Sequence, residues 1–512
     1  MHRRRFLAAT GAVTLTMPGF LSACGKSGSG PELAAAPPAD PFAEWFGIDT
    51  ATVQAVLAEL GAGGADFGDL YFQHTRNTSV KMEDGIIGEA TSSITQGVGL
   101  RVVIGDQTGY AFTEELTLEA MKKAARTAAA IARGNTTRLS PDQLQWPEIA
   151  HRDLYKLAVP WSAVGITDKL PRIQKLESLA KAKDPSVDKV QVSWWDSEER
   201  VMVCTLDGKV YREVRPQSRL WCTVVAKKGD ETRSNSANLA GRRGIDFYTD
   251  EKLGELADKA VRLTMRLFDA RRPPAGEMPV ILAAGPSGIL LHEAVGHGLE
   301  ADFNRIGTSI YADKMGEKVA ADFVTVVDSG VEPNERGALT FDDEGNDCQR
   351  TALIENGRLA SYMHDTISAR HYGVKPTGSG RRQSFKHVPM PRMRCTFMED
   401  GPHTRDEIIA SVDKGIIAET FTNGQVQIGA GDFTFYIKNG WLIEGGKITA
   451  PISDVNIIGN GPEALQNITM AANDAQLDTG GWTCGKNGQG VPVSQGLPTV
   501  LVSKLNVGGV DA

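Results

Sequence analysis

Residues 278–298 read MPVILAAGPSGILLHEAVGHG, an apolar stretch that leads into two histidines. The apolar run 278–285 predicts a buried strand, Pro286 and Ser287 predict a turn with a helix cap, and the following apolar residues predict a helix. His292 and His297 belong to that helix. A buried strand that leads into a helix with paired imidazoles is the structural context that a catalytic metal motif needs.

The two histidines form an HExxxH motif, one residue longer than the HExxH helix of many metallopeptidases. Two imidazoles can hold a zinc ion, and Glu293, directly after the first, can accept a proton from the attacking water. On a regular helix, residues five apart are splayed by about 140°. We therefore predict a one-residue π-bulge, with Gly296 as its place. The alternative is a surface helix whose two histidines and glutamate bind no metal.

A catalytic zinc site needs three protein ligands and one open position. Cys484 lies in the glycine-rich segment GGWTCGKNGQG at 480–490, where a flexible turn can aim its sulfur. Lys486 nearby favours the thiolate. A free cysteine is just as commonly a small buried hydrophobic residue, and spacing alone does not decide between these two interpretations.

Longer motifs resemble the TldD/PmbA metallopeptidases. In the second half of the chain they are HEAVGHGLEADF (His292–Phe303), DDEGNDCQRTALIENGRL (Asp342–Leu359), TGSGRR (Thr377–Arg382) and CGKNGQGVPV (Cys484–Val493). In the first half, DFGDLYFQ (Asp66–Gln73) and QGVGLRVV (Gln96–Val103) resemble the same family. The resemblance extends from about Phe42 to the end of the chain.

The resemblance implies a zinc-dependent peptidase that hydrolyses short or unfolded peptides. It implies one Zn²⁺ per chain, held by His292, His297 and Cys484, with Glu293 as the base. It also implies a dimer, either a homodimer or a heterodimer with a PmbA-like subunit. Because PmbA-type subunits lack the metal motif, this chain resembles the catalytic type. The alternative is a non-catalytic exported lipoprotein, or an assembly subunit, with a structural zinc.

The first residues depart from the usual cytosolic member of that family. MHRRRFL at 1–7 resembles a twin-arginine export signal, and LSACG at 21–25 resembles a bacterial lipobox. We therefore expect lipidation of Cys24 and an exported protein, in the bacterial periplasm or at the cell surface, that contacts the membrane only through its lipid. The alternative is an ordinary signal peptide with a small-residue cleavage site.

Composition is that of a soluble globular protein of two or more domains. The chain has 512 residues, 41% of them hydrophobic and 23% charged, with a net charge of −8. No basic stripe with interleaved aromatic residues is present, so we predict no nucleic-acid partner.

The predicted fold class is α+β. We divide the chain into an export signal with lipobox (1–24), a flexible tether (25–41), a helix-and-sheet amino-terminal domain (42–272) and a β-rich, barrel-like metallopeptidase domain (273–512). The linker RRPPAG at 271–276 marks the main boundary. Asn439-Gly440 and Gly445-Gly446 predict hairpin turns in an antiparallel second half.

Three charged features remain open. Asp342-Asp343-Glu344 could support the metal site, or form a solvated loop. Arg381-Arg382 could bind a peptide carboxylate, or form a surface ion pair. Glu300 and Asp302 could orient His297 through its free ring nitrogen, or be solvated charges at the helix end.

Overall fold

Six long strands form an antiparallel sheet in the computed structural model, which describes residues 41–132 and 153–509. Their order across the sheet is β3-β2-β1-β4-β5-β6. The strands are β1 (Phe67–Glu83), β2 (Ile86–Ile104), β3 (Gln107–Thr113), β4 (Val187–Thr205), β5 (Val210–Lys228) and β6 (Glu231–Gly241). The export signal, Cys24 and nearly all of the predicted tether lie outside the described residues.

Helices cover one face of this sheet. They are α1 (Pro41–Phe46), α2 (Thr50–Leu60), α3 (Leu118–Ile131), α4 (Ile166–Lys183) and α5 (Asp250–Arg266). Leu70 and Phe72 pack with the first three helices, and Val80 and Met82 pack with the last two. Because side chains alternate along a strand, these four even-numbered positions of β1 share one face. Tyr71 belongs to the opposite face, where it clusters with Phe341 and Phe385 of the second half.

Residue alternation predicts separate strands over 187–193, 200–205, 209–215 and 218–227, with a turn at 215–217, but the first two belong to β4 and the last two to β5. The expected turn at 215–217 is wrong, because β5 continues through Pro216, which lies opposite Glu198 of β4. Proline cannot donate a ladder hydrogen bond, and pairing of β5 with β6 begins only at Ser218. Apolar residues at helical spacing predict one helix over about 42–66, but this segment forms two helices. Helix α1 begins at Pro41, the last residue of the predicted tether, and Asp49 caps α2 by accepting from the backbone of Thr52.

A closed ring of strands forms the core of the second half. Its strands are β7 (Gly276–Leu282), β14 (Lys414–Gln427), β15 (Asp432–Glu444), β17 (Val455–Asn460) and β23 (Val500–Gly509). Each pairs with two others in the order β7-β14-β15-β17-β23, and β23 returns to β7. The predicted barrel is therefore present. It is not wholly antiparallel, since β7 and β14 are parallel.

The remaining elements surround this ring. The strands are β8 (Val326–Ser329), β9 (Arg350–Glu355), β10 (Arg358–Leu359), β11 (Gly380–Arg381), β12 (Met390–Pro391), β13 (Cys395–Met398), β16 (Lys447–Ile452), β18 (Ile468–Ala471), β19 (Gln476–Leu477), β20 (Thr483–Lys486), β21 (Gln489–Pro492) and β22 (Ser494–Leu497). The helices are α6 (Ile289–Leu291), α7 (Ala301–Arg305), α8 (Thr366–Tyr372), α9 (Arg405–Ala410) and α10 (Gly461–Gln466).

The two predicted hairpin signals have different outcomes. Gly445 and Gly446 both have positive φ and join β15 to β16, as a two-residue hairpin turn requires. Asn439-Gly440 is not a turn. It lies within β15, which pairs with β17 before this point and with β16 after it.

The described residues, 41–132 and 153–509, form one compact unit. Strands of the first sheet end at Gly241, and those of the other sheets begin at Gly276. The predicted boundary between 272 and 273 falls within this interval and stays a prediction. None of the described helices, in 41–132 or 153–509, has the length and apolar composition needed to cross a bilayer.

Candidate metal centre

The HExxxH motif adopts the distortion that its spacing predicts. Helix α6 continues into a π-helical turn over His292–Gly296, and the N–H of His297 donates to the carbonyl of His292, five residues back. The two imidazole rings lie 5.1 Å apart between centroids. The predicted π-bulge is confirmed, and it brings both rings to one side of the helix.

Gly296 is needed for packing rather than for backbone freedom. Its φ of −56° and ψ of −57° are ordinary helical values. A Cβ at this position would lie 2.0 Å from the sulfur of Met393, which is fully buried. Leu291, Ala294 and Val295 pack into the core that includes the ring of strands. The barrel therefore holds the motif against a close-packed wall.

Cys484 reaches the histidines from the far end of the chain. Strands β20 and β21 form a hairpin whose turn residues, Asn487 and Gly488, have φ of 49° and 73°. The Cys484 sulfur lies 3.5 Å from Nε2 of His297. One donor atom from each of His292, His297 and Cys484 lies within 4.8 Å of the other two, and all three residues are buried. The sequence left the role of Cys484 open, whereas the fold brings its sulfur to both imidazoles.

The electrostatics of the three donors suit a cation. Burial alone would raise the pKa of the Cys484 thiol, but the two imidazoles hold that pKa well below its ordinary value. The buried Nδ1 of His292 has no hydrogen-bond partner in the described part of the chain. This donor set fits zinc. It consists of two imidazoles, one of which has an unsatisfied nitrogen, and a cysteine that favours its thiolate form.

Glu300 orients His297. Its Oε2 lies 3.0 Å from Nδ1 of His297, which leaves Nε2 directed toward Cys484. Burial disfavours a charge on Glu300, but Lys486 and His297 lower its pKa to about 2. Asp302 does not contact His297. It accepts from Lys486 Nζ at 2.7 Å, and Lys486 also lies 3.1 Å from Glu300.

Arg392 was not predicted from the sequence. It is fully buried, and its Nη2 donates to the backbone carbonyl of Cys484 at 2.6 Å. The one sequence signal for a structural role is its position two residues before Arg394, which is also buried in the structure. Together with Lys486, it fixes the hairpin that carries the cysteine.

A cavity of about 540 Å³ opens beside the three donors. Glu293 is partly exposed and lines it. Gly424, Gln425 and Val426 of β14 line the same cavity. Strand β14 pairs with β7 only at Ile416–Ala418. Beside the cavity, β15 is the one described strand that pairs with β14, and the other edge of β14 is unpaired there.

The other charged motifs lie apart from this centre. Asp343 and Glu344 pair with Arg215 and Arg101 of the first sheet. Arg382 pairs with Asp69 at 2.9 Å. These ion pairs are buried, so Arg382 forms neither the predicted surface pair nor a contact with the metal donors, and the carboxylates are not a solvated loop.

Family models match most of the chain. The PmbA/TldA metallopeptidase domain 1 matches residues 68–132, the central domain matches 159–268, and the C-terminal domain matches 275–509. The last of these includes His292, Glu293, His297 and Cys484.

Curated relatives and solved structures agree with these matches. A "Metalloprotease TldD homolog" of Haemophilus influenzae is 39% identical over 472 residues, which cover 91% of this chain and 97% of that protein. A "Zinc metalloprotease TldD homolog" of Saccharolobus solfataricus is 28% identical, with 87% of this chain and 97% of that protein covered. A suspected modulator of a DNA gyrase from Thermotoga maritima has the same fold, with a TM-score of 0.70, 22% identity, and 86% of this chain and 96% of that one covered.

Proposed function

Because this chain belongs to the TldD/PmbA metallopeptidase family, we propose that it is a zinc-dependent peptidase whose reaction takes place at the HExxxH motif. One observation carries the proposal. His292, His297 and Cys484 converge to within 4.8 Å beside a cavity that Glu293 lines. Three ligands and an adjacent carboxylate are the arrangement of hydrolytic zinc sites, whereas structural zinc sites have four protein ligands.

His292, His297 and Cys484 would hold one zinc ion per chain. When bound, zinc supplies Lewis-acid activation of a water molecule and of the peptide carbonyl. The name of the Saccharolobus solfataricus relative supports zinc as the metal. Glu300 keeps the proton of His297 on Nδ1, so that Nε2 remains a ligand.

Glu293 is the proton carrier of the reaction. Its carboxylate accepts a proton from water as the water oxygen forms a bond to the carbonyl carbon. As the C–N bond breaks, Glu293 returns the proton to the departing amine. Water is consumed, and the products are a carboxylic acid and an amine.

Peptide substrates bind as an added strand along β14. At Gly424–Val426, β14 pairs with β15 on one edge, its other edge has no partner strand among the described residues, and this segment lines the metal cavity. Pairing with this edge would read backbone rather than side chains. The expected substrates are therefore short or unfolded peptides of varied sequence.

Assembly and location extend the proposal. The family resemblance favours a dimer, either of two identical chains or with a PmbA-like subunit. Arg3-Arg4-Arg5 and the cysteine at 24 favour twin-arginine export and a lipid anchor in the periplasm or at the cell surface. A non-catalytic lipoprotein or assembly subunit with a structural zinc is the alternative, and the presence of Glu293 argues against it.

A peptide digest tests the proposal. Purified protein should cleave members of a peptide library in mass spectrometry, lose that activity with a chelator, and regain it with zinc. Glu293→Gln should retain zinc and fold but lose about a hundredfold or more of the rate, as is typical of a lost general base. Zinc-loaded protein that cleaves nothing, or a fully active Glu293→Gln, would contradict this mechanism.

A further inference from the structure

A second cavity of about 560 Å³ lies against the helix-free face of the first sheet. Its floor includes Tyr71, Gln73 and Thr75, which alternate along β1 on the face opposite the helices. Its other wall includes Arg381 and Arg382, the paired arginines of the TGSGRR motif. We name this space the arginine cavity; it lies within the size range of sites for small organic ligands.

Cationic side chains dominate its lining. They are Arg215, Arg242, Arg381, Arg382 and Lys386, against the carboxylates Glu199 and Asp343. Three of the cations form ion pairs: Arg215 with Asp343, Arg382 with Asp69, and Lys386 with Glu114. Arg242 and Arg381 are left against Glu199, which accepts from Gln73, so the lining keeps an excess of positive charge.

Two of these arginines have no carboxylate partner among the described residues. Arg381 donates only to backbone carbonyls, those of Met393 and Pro492. Arg242 donates to the carbonyl of Pro216 and stacks on Tyr155. Both side chains are at least nine-tenths buried, with 3% and 2% of their surface exposed. Burying a guanidinium without a counter-charge is unfavourable, so a bound anion would stabilise these two side chains.

Unsatisfied donors support the same conclusion. The buried Nε of Arg242 and the buried Nε of Arg382 have no hydrogen-bond partner in the described part of the chain. Burial lowers the pKa of Arg381 to about 10, despite the attraction of Asp343, and Arg392 and Arg242 add to the lowering by repulsion. A bound carboxylate would provide acceptors and neutralise this excess charge.

We propose that the arginine cavity binds the free carboxylate of a short peptide, with Arg381 and Arg242 as its principal donors. A planar carboxylate matches the forked donors of a guanidinium. Tyr71 and the polar residues of β1 surround the rest of the cavity, so the ligand is an organic molecule with a carboxylate and not a bare ion. This inference rests on the proposed peptidase function, and it means that substrates or products with a free carboxyl terminus bind preferentially.

The arginine cavity shares a structural element with the metal centre. Pro492 of β21 lines the arginine cavity and pairs with Thr483 of β20, which lines the metal cavity. Gln383 accepts from the backbone of Gly490 in the same hairpin. The hairpin that presents Cys484 therefore also forms part of the wall of the arginine cavity.

Calorimetric binding to the full-length Glu293→Gln protein tests the proposal without turnover. The probes are N-acetyl trialanine with a free carboxylate, the same peptide as its carboxamide, and acetate. The carboxylate peptide should bind at least about tenfold more tightly than the amide, the scale of a lost charge-assisted hydrogen bond. Equal binding of both peptides would overturn the proposal, and acetate that binds as tightly as the peptide would indicate an adventitious anion only.

Variants locate the binding. Arg381→Gln should weaken carboxylate binding at least about tenfold, and Arg242→Gln provides a second measurement if the first variant does not fold. Arg262→Gln, on the exposed face of α5, is the matched control and should bind normally. Unchanged affinity in folded variants at 381 and 242 would overturn the assignment. A wild-type protein that binds the carboxylate but cleaves no peptide would refute the peptidase function and leave this site standing.

Discussion

At the scale of single residues, the candidate centre depends on three donors whose protonation is set by their neighbours. The imidazoles favour the thiolate of Cys484, and Glu300 lies 3.0 Å from Nδ1 of His297, which leaves Nε2 directed toward the sulfur. A thiolate and an imidazole nitrogen held in this way are suited to a cation. Glu293 lies beside them in the cavity, is not one of the donors, and is available for proton transfer.

Cys484→Ala should lower zinc content more than any other cysteine substitution. Removal of the thiolate leaves two imidazoles, which hold zinc less firmly than a three-ligand site. Cys222→Ala, at a fully buried cysteine of the first sheet, is the matched control. Metal analysis after dialysis should find about one zinc per chain in wild type and in the control. Full zinc retention in Cys484→Ala would refute the ligand assignment.

Asp342 should make stability depend on pH. Burial and the charge of Glu344 raise its pKa from 3.8 to about 7, although backbone N–H groups oppose this. The folded state therefore keeps a proton that the unfolded state releases. The resulting stability is fully present below the unfolded pKa and is lost as pH rises through the folded one.

Relative to Asp342→Asn, the wild-type free energy of unfolding should fall by about 3 kcal/mol between about pH 4 and pH 7. The lost acceptor oxygen of the variant adds an offset that does not vary with pH. Denaturant unfolding at several pH values measures the difference, and a difference that is constant over this range would contradict the raised pKa.

At the scale of elements, a single π-helical turn converts an i,i+5 spacing into a pair of converging imidazoles. The turn lies between α6 and a wall that includes Met393, and its glycine allows the close approach. A second element, the β20–β21 hairpin, brings the thiol. The geometry of the centre therefore depends on how two short elements pack against the barrel.

Gly296→Ala should destabilise the protein by about 1–3 kcal/mol, the usual range for overpacking a core, and should weaken zinc binding. The added methyl would collide with the Met393 sulfur. In the double variant with Met393→Ala, the loss of unfolding free energy should be smaller than the sum of the two single losses, because the two changes share one contact. Thermal or denaturant unfolding of both single variants and the double variant gives the coupling, and strictly additive losses would argue against this contact.

At the scale of the whole molecule, buried ion pairs join the two halves of the chain. Arg101 of β2 pairs with Glu344, Arg215 of β5 pairs with Asp343, and Arg382 pairs with Asp69 of β1. These pairs lie between the first sheet and the segments around the barrel. The arginine cavity lies beside them, where Arg242 and Arg381 form no ion pair with a carboxylate of the described residues.

Location is a prediction for the whole chain. Wild-type protein should fractionate with membranes, since an acylated cysteine with more than one chain anchors stably. Cys24→Ala should shift it to a soluble exported fraction, and replacement of Arg3 and Arg4 by Lys should retain it in the cytoplasm. Wild-type protein found wholly in the cytosol, with residues before Cys24 still attached, would show the export prediction to be wrong.

The sequence by itself determined the features that depend on local spacing. The spacing of His292 and His297 predicted a π-helical turn, because residues five apart on a regular helix are splayed by about 140°. Apolar periodicity predicts helices over 116–132, 169–183 and 250–268, and these match α3, α4 and α5 to within a few residues. The glycine-rich and strand-rich composition of the second half indicated the barrel. The Gly445-Gly446 hairpin followed from the positive φ that such turns require.

Only the tertiary structure decided the features that depend on distant contacts. Cys484 is 187 residues from His297, and Arg382 is 313 residues from Asp69, so no local pattern could join them. Strand lengths were underestimated because cross-strand pairing carries β4 and β5 through polar residues and Pro216. The fate of Arg381, Arg382 and Asp343 was open for the same reason: burial and charge partners are properties of the folded chain.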